Sequence, residues 1–281
     1  LQTGDFELRE VVRQSSESGI LFNAYLLRNM VASGAQGFPR FHTEGFPDFI
    51  RLGGEDTFDE ISQAFQSREA DEALVVCRSN KRARLFNENI RQRILFREEE
   101  LSSGDLIMAV KNNYYWLPPD SPAGFIANGD IMEVKRIWRM EDIYGFRFAD
   151  VSVALSDYPE QPVYEIKILL NTLHSDTASL ASSEQKQLYE AIAEDHAHLS
   201  KRTQFKKIKE NPYFNAIQVK FAYALTCHKA QGGQWKNVFV DMGYLPDKEP
   251  DKEYLRWLYT ALTRATDKVY LMRFREEFFV D

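Results

Sequence analysis

The sequence has little cysteine, with only Cys77 and Cys227 in 281 residues. Two isolated thiols exclude a disulfide framework and a cysteine-rich metal site, and they favour a reducing, cytoplasmic location. No apolar run approaches the roughly 20 residues that a membrane-spanning helix needs, so we expect no membrane partner. The first residues also lack the basic and then apolar pattern of a secretory signal. These absences favour ordinary globular domains.

Two short patterns that hold nucleotides are also missing. No Gly-x-x-x-x-Gly-Lys-Ser/Thr loop occurs in the sequence, and no Asp-Glu pair ends an apolar strand to hold Mg²⁺. Asp71-Glu72 precedes an apolar run instead of ending one. We find no cluster of acidic, histidine or cysteine residues with the spacing of a metal site, and so predict no metal ligands.

Positive charge is concentrated in two segments, although the net charge is −7. The first runs from Arg78 to Arg97, and the second contains Lys201, Arg202 and the lysines up to Lys209. Contacts to phosphate are local, so the distribution of charge matters more than its sum. Each segment fits either a nucleic-acid contact or an ordinary solvated surface.

The beginning and the end of the sequence have the pattern of an α/β fold. Residues 19–30 have helical apolar spacing after a polar stretch, and residues 34–57, rich in Gly, Pro and aromatics, are predicted to be loop. Residues 73–77 predict a buried strand, followed by a helix that Ser79 or Asn80 caps. Near the end we predict strands at 219–225, 238–240 and 269–272 and a helix at 253–265. Alternating strands and helices predict a parallel sheet with helices on both faces.

The middle of the sequence has a different pattern. Strand-like runs at 106–110, 131–134, 146–155 and 163–170, with a tight-turn signal at Asn128-Gly129, predict a small antiparallel β-barrel. Residues 182–209 predict one or two polar helices. We therefore expect one α/β domain of residues 1–103 and 219–281, interrupted by an inserted barrel-containing domain of residues 104–218.

The most specific segment is Leu225-Thr-Cys-His-Lys-Ala-Gln-Gly-Gly-Gln-Trp235. It follows a predicted strand, so its polar side chains are expected at the carboxyl edge of the sheet, where ligands bind in open α/β folds. A hydroxyl, an imidazole, an ammonium and an amide within six positions suit a phosphate-rich polymer, and the glycines permit close backbone approach. Taken alone, the segment fits a structural turn as well.

A second segment, Trp257-Leu-Tyr-Thr-Ala-Leu-Thr-Arg-Ala-Thr266, places an arginine near the end of a predicted helix. An arginine presented by one domain to a nucleotide held by another can stabilise charge on a transferred phosphoryl group. For any single arginine, a surface ion pair is the simpler interpretation. The order and content of the two segments together favour the functional one.

Together the two segments resemble motifs V and VI of superfamily 1 DNA helicases, in the RecD-like branch that includes the exonuclease V alpha subunit, with a UvrD-like C-terminal domain. Val11-Val12-Arg13-Gln14 looks like motif IV of that family, and Ser79-Asn80, with Asn87, is similar to its strand-to-helix segment. Lys111-Asn112-Asn113 and Asn128-Gly129-Asp130 look like the SH3-like barrel inserted in this branch. The resemblance runs in order over nearly the whole chain and implies a RecA-like fold.

The resemblance implies a role for each matching residue. Arg13 and Arg264 would reach the γ-phosphate of ATP, and Gln231, Gly232 and Gln234 would lie near the nucleotide, although many relatives have Glu at the place of Gln234. Single-stranded DNA would be contacted by Thr226, His228, Lys229, Ser79, Asn80, Asn112 and Asn113. Tyr114 would help to guide the strand. Tyr115 and Trp116 fit either base stacking or half-buried core positions, and the core positions are favoured.

The implied function is the C-terminal motor half of an ATP-dependent helicase that moves 5′-to-3′ on single-stranded DNA, with a role in repair or recombination. Its own N-terminal RecA-like domain would hold most of the ATP and Mg²⁺, so we expect the fragment alone to be inactive. Subunits of a nuclease complex are further candidate partners. The alternative is a non-catalytic, helicase-derived module that binds DNA or another subunit. A nuclease is disfavoured, because no two-metal carboxylate signature occurs.

Overall fold

The computed structural model describes residues 18–54, 56–67, 72–245 and 249–280. Contacts within the chain divide it into two compact units, Leu1–Ser79 with Leu225–Asp281 and Asn80–Ala224. We call the first the sheet unit and the second the barrel unit. The functional boundaries expected after residues 103 and 218 stay a prediction.

The described elements of the sheet unit alternate between strands and helices, as the sequence predicts. In chain order they are α1 (Gly19–Ser33), β1 (Phe49–Leu52), α2 (Asp56–Gln66), β2 (Ala73–Cys77), β8 (Ala224–Thr226, which starts at the unit boundary), β9 (Trp235–Asp241), α6 (Lys252–Leu262), β10 (Ala265–Met272) and a 3₁₀ turn (Glu276–Phe278).

These strands form one sheet in the order β1-β10-β9-β2-β8. The pairs β1/β10, β10/β9 and β9/β2 are parallel, with Leu74 opposite Val238 and Val269 opposite Val238 on the other side. All five residues of β2 are buried. Strands buried on both faces read as continuous apolar runs, which explains why residues 73–77 and 238–240 were recognisable from sequence.

Helix α1 begins and ends where its sequence indicates. The Ser18 hydroxyl accepts a hydrogen bond from the amide of Leu21, and the carboxylate of Asp48 accepts from the Ser18 hydroxyl and the Gly19 amide. A carboxylate at this position also opposes the positive end of the helix dipole. Gly34 ends the helix with φ +72°. The predicted helix at 19–30 is therefore confirmed and extends three residues further.

The prediction that residues 34–57 are all loop was wrong. β1 forms within this segment and α2 begins at Asp56. β1 is only four residues long and lies at the sheet edge beside β10. Its strand conformation depends on pairing with residues more than two hundred positions away, so local composition gave no signal for it.

The barrel unit contains α3 (Asn80–Asn89) with a following π-helical turn (Ile90–Ile94), β3 (Leu106–Ala109), β4 (Ile131–Ile143), β5 (Phe146–Leu155), β6 (Tyr164–Leu169), a 3₁₀ turn (Leu170–Thr172), α4 (Ser182–Asp195), α5 (Lys201–Lys209) and β7 (Ile217–Phe221). The predicted strand at 219–225 is in fact two strands, β7 and β8, separated by a bend at Ala222-Tyr223.

Strands β3 to β7 close into a five-stranded barrel. The pairs β3/β4, β4/β5, β5/β6 and β3/β7 are antiparallel, as predicted, but β6/β7 is parallel. A parallel pair needs a long crossover connection, and residues 170–216 with α4 and α5 supply it. Tyr144 and Gly145, both with positive φ, form the two-residue turn that joins β4 to β5.

Helices α4 and α5 pack on the barrel through a separate apolar cluster. Its buried members are Phe146, Phe148, Leu169, Leu180, Leu188, Ile192 and Ile208. The two helices have mostly polar sequences and contribute only three buried apolar side chains between them. Their remaining surface is left to solvent or to a ligand.

The fold class predicted from the sequence is confirmed: a RecA-like α/β sheet with helices and an inserted closed barrel. No helix among the described residues is long and apolar enough to cross a bilayer.

Candidate functional site

The loop that follows β8 is a tight turn built around Thr226. The Thr226 carbonyl accepts hydrogen bonds from the amides of Lys229 and Ala230, at 2.9 and 3.1 Å. The turn continues to Gly232, whose φ of +92° is in the left-handed region that favours glycine. These bonds hold the polar side chains of residues 226–231 in one short segment at the end of the strand.

Gly233 is required for a different reason. A Cβ built on it would lie 2.3 Å from Cη2 of Trp235, whose side chain is buried. The Trp235 ring therefore packs directly on the Gly233 backbone. The sequence predicts that another group comes close to the backbone at Gly232-Gly233. At Gly233 this group is the Trp235 ring of the same chain, whereas a Cβ built on Gly232 would meet nothing within 4 Å.

Arg264 joins the two segments that the sequence singles out. Its guanidinium donates to the carbonyls of Gly233 and Thr260, each at 3.1 Å, and to the Thr263 hydroxyl at 3.3 Å. The Trp235 amide in turn donates to the Arg264 carbonyl at 3.0 Å. A half-buried cation is thus fixed between the loop after β8 and the C-terminal end of α6.

A cleft of about 280 Å³ lies beside this junction, within the sheet unit. Cys77 and Arg78, at the end of β2, form one part of its wall. The loop after β8 and one face of α6 form the rest, with Cys227, His228, Gln231, Glu253, Arg256, Trp257 and Thr260. The α6 residues recur at helical spacing, so one helix face lines the cleft. Polar groups from three elements therefore meet where the strands end, the place at which open α/β sheets bind ligands.

Two arginines, Arg78 and Arg256, and one carboxylate, that of Glu253, line the cleft. Arg78 is exposed, its guanidinium lies 4.8 Å from the ring centre of Tyr254 and 5.6 Å from that of Trp257, and it donates to the Tyr244 carbonyl. Arg256 is also exposed and lines a second depression beside α1, of about 360 Å³. Among the described residues, neither arginine has a carboxylate within 4.0 Å. Such a wall suits an anionic ligand.

Cys227, one of the two cysteines that line the cleft, is not set up as a nucleophile. Burial raises the pKa of Cys227 to about 11, and the nearby charge of Arg264 only partly opposes this. A thiol with this pKa stays protonated at neutral pH, and the thiolate is the reactive form. Burial also lowers the pKa of Lys229 below its ordinary value.

The structure brings together some of the predicted site residues. Thr226, His228, Lys229, Gln231, Gly232 and Gln234 lie in one loop, and Arg264 is bonded to its end. His228 and Gln231 line the cleft, and Gln234 is exposed. Arg13 and the rest of Val11–Gln14 lie outside the described residues. Ser79 ends the sheet unit and Asn80 begins α3 of the barrel unit, and both are exposed.

The two barrel asparagines make hydrogen bonds inside the protein. Asn112 accepts from the amide of Asn128, and Asn113 donates to the carbonyl of Asn215, both at 2.8 Å. Tyr114 is 72% exposed and stacks on Phe125. The asparagines therefore shape the loop that displays Tyr114, and their contact with DNA stays a prediction. Trp116 is half-buried and donates to the Asn215 carbonyl, a core-like position.

Sequence reasoning missed three members of the cleft: Arg78, Arg256 and Trp257. Arg78 directly follows a fully buried strand, which was a usable signal for the carboxyl edge of the sheet. Arg256 and Trp257 precede Thr260 by four and three positions, so helical periodicity would have placed them on its face. No group of three or more potential metal ligands occurs among the described residues.

Residues 221–272 match the family described as the UvrD-like helicase C-terminal domain. Both singled-out segments, the loop after β8 and the end of α6, lie within this match. It covers less than a fifth of the chain and includes only the last residue of the barrel, Phe221 of β7. No curated protein matches the chain.

Solved helicase structures resemble the chain at low identity. The Pif1 helicase from Candida albicans has a TM-score of 0.46 and 13% identity, over 96% of this chain and 56% of that one. The Pif1 helicase from Bacteroides, in complex with ADP-AlF3 and ssDNA, has a TM-score of 0.46 and 11% identity, over 98% of this chain and 54% of that one. The chain thus spans about half the length of these structures.

Proposed function

We propose that this chain is the second motor domain, with its inserted barrel, of an ATP-dependent DNA helicase or translocase of superfamily 1. The proposal is carried by one observation. The two segments inside the UvrD-like match are tied together by Arg264, beside a cleft with a cationic wall. A structural turn alone would not explain why an arginine spans both segments next to such a cleft.

Arg264 has the properties of a residue that senses a phosphate held by another domain. Its guanidinium donates to two backbone carbonyls and a hydroxyl, and these bonds fix its orientation. An oriented arginine stabilises charge that develops during phosphoryl transfer. Arg13 would be its counterpart, while Gln231, Gly232 and Gln234 would contact the nucleotide at the edge of the loop.

The residues of this chain fit one wall of an ATP site and not the metal site. Arginine and amide groups suit phosphate and ribose oxygens, whereas no cluster of three or more potential metal ligands is found among the described residues. ATP with Mg²⁺ supplies the free energy of the motor. The preceding RecA-like domain would hold most of both, which agrees with the absence of a phosphate loop here.

The DNA strand would lie along the loop after β8. In the sheet unit, Thr226, His228, Lys229 and Ser79 would contact the DNA backbone. In the barrel unit, the proposed DNA contacts are Asn80, Asn112 and Asn113. Because Lys229 and Arg264 belong to one bonded loop-and-helix assembly, a change at the phosphate side can move the DNA side. We further propose the RecD-like branch and 5′-to-3′ movement.

The test uses the full-length protein and measures DNA-stimulated ATP hydrolysis. Arg264→Ala should lower turnover by roughly 10² or more, a threshold set below the roughly 10³ to 10⁵ that arginines of this type contribute. Binding of single-stranded DNA should change little, because the variant alters the phosphate side. Arg51→Ala is the matched control, since Arg51 lies at the sheet edge on β1 and contacts Phe279 and Glu276 instead of the cleft.

Melting curves of Arg264→Ala would separate a catalytic loss from misfolding, and Arg264→Lys keeps the charge but not the three oriented bonds. Turnover near the wild-type value in Arg264→Ala would refute the assignment. If the full-length wild-type protein binds DNA but hydrolyses no ATP, the chain is the non-catalytic module instead.

A further inference from the structure

Helix α5 of the barrel unit has an unusual amount of exposed charge. Of its nine residues only Ile208 is buried, and it anchors the helix in the apolar cluster beside the barrel. Five of the other residues are cations, all exposed: Lys201, Arg202, Lys206, Lys207 and Lys209. The whole chain has a net charge of −7, so the positive charge of this helix is opposite in sign to that of the chain.

Intramolecular pairing does not account for these cations. Among the described residues, Lys206 forms the one ion pair of the group within 4.0 Å, with Glu210 at 3.8 Å, and both side chains are more than half exposed. Exposed pairs of this kind contribute little to stability. The other four cations of α5 have no such pair in the described parts of the chain.

The helix dipole explains only the C-terminal part of the pattern. Lys206, Lys207 and Lys209 lie in the last turn, where cations interact favourably with the negative end of the helix. Lys201 and Arg202 lie in the first turn, where cations oppose the positive end. Two cations at an unfavourable position indicate a function other than stabilising the helix.

An aromatic side chain lies within the cationic face. Lys201, Phe205 and Lys209 are spaced one turn apart, and Arg202 and Lys206 lie next to this row on the helix surface. Phe205 is 48% exposed, with the Lys209 ammonium 4.6 Å from its ring centre. Tyr115, also partly exposed, donates to the Glu210 carbonyl at the end of the helix. Cations interleaved with exposed aromatic rings are the combination that binds single-stranded nucleic acid.

We propose that the exposed face of α5, with Tyr115, binds the backbone and bases of single-stranded DNA. Lys201, Arg202 and Lys209 would contact phosphates, while Phe205 would offer a stacking surface. Charge complementarity selects a polyanion, and the exposed ring selects a strand with accessible bases over a duplex. Because this binding needs no nucleotide, it does not rest on the proposed motor function.

The experiment measures the fluorescence anisotropy of a labelled oligothymidylate of about 20 nucleotides, long enough for a site of this kind, as a function of salt and without ATP. The variant Lys201→Gln/Arg202→Gln should weaken binding roughly fivefold or more and reduce the salt slope by about 1.4, which is about 0.7 for each lost phosphate contact. Its melting temperature should not fall, because both substitutions remove an unfavourable dipole interaction.

The matched control is Lys135→Gln/Lys186→Gln, which changes the net charge equally within the same unit. Both lysines are exposed and lie on β4 and α4. The control should keep the wild-type affinity and slope. Phe205→Ala should weaken binding roughly fivefold or more, with an unchanged slope, because stacking releases no counterions.

Three results would overturn the proposal. The first is that Lys201→Gln/Arg202→Gln binds the oligothymidylate with the affinity and salt slope of the wild-type protein. The second is that the control variant loses as much affinity as this variant does. The third is tighter binding of duplex DNA, or of polyglutamate as an acidic protein mimic, than of the oligothymidylate. This experiment measures DNA binding without ATP, whereas the motor assignment is tested by ATP turnover, so failure here and failure of the motor assignment are distinguishable.

Discussion

Two sets of arginines, one in each unit of the chain, have opposite surroundings. In the barrel unit, Asp105 is fully buried and accepts hydrogen bonds from Arg91, Arg97, the Ser102 amide and the Tyr223 hydroxyl. In the sheet unit, Arg78 and Arg256 are exposed at the cleft.

The difference shows that arginine content alone says little about function. Arg91 is 4% exposed and donates two hydrogen bonds to the Asp105 carboxylate, so its charge is paired inside the fold. Burial, together with the charge of Asp105, raises the pKa of Tyr223, which keeps its hydroxyl a donor at neutral pH. Arg78 and Arg256 are oriented by aromatic rings or left in solvent, where a ligand can reach them.

The strongest way to sharpen this comparison is to remove the buried carboxylate. Asp105→Ala leaves the buried cation Arg91 unpaired, which should lower the free energy of unfolding by about 3–5 kcal/mol. Urea unfolding of the purified chain measures this. Asp120→Ala, at an exposed carboxylate of the same unit, should stay within about 0.5 kcal/mol. A loss below about 1 kcal/mol at position 105 would show that the network is not stabilising.

A smaller effect is expected from a buried neutral group. The Asn87 side chain donates to the Ala224 carbonyl at 2.9 Å and accepts from the Ala224 amide at 2.8 Å. Asn87→Ala would leave both backbone groups without these bonds and should cost about 1–3 kcal/mol. Asn89→Ala, at an exposed position of the same helix, is the control. Equal losses in the two variants would contradict a specific role for Asn87.

The smallest effect on stability is expected at the cleft. Arg256→Ala should change the free energy of unfolding by no more than about 0.5 kcal/mol, because the side chain is exposed. Arg91→Ala, an identical substitution at a buried pair, should cost about 3–5 kcal/mol. If thermal or urea unfolding shows similar losses, the contrast between structural and cleft arginines is wrong.

Much of the fold could be predicted because its signals are local. The buried strand β2 reads as an apolar run, and α4 and α5 follow polar helical patterns. Strand β1 and the parallel β6/β7 pair could not be predicted, because each depends on a partner distant in sequence.

The candidate site was predictable only in part. The loop after β8 and Arg264 carried a motif, so their residue types and order were enough to select them. Arg78 and Arg256 belong to no recognised motif. They became candidates only because the structure places both in the lining of the cleft. Asn112 and Asn113 matched the pattern, yet the structure shows them engaged in hydrogen bonds that shape their own loop.

The sequence by itself determined the α/β class, the inserted barrel and the two segments that resemble helicase motifs, because periodicity and short motifs are written in neighbouring residues. Only the tertiary structure decided which cations are buried in ion pairs and which remain exposed at the surface. The partners that decide this are far apart in the chain: Tyr223 lies 118 positions from Asp105, and Gly233 lies 31 from Arg264. Burial and pairing at such separations are set by packing, which no local pattern encodes.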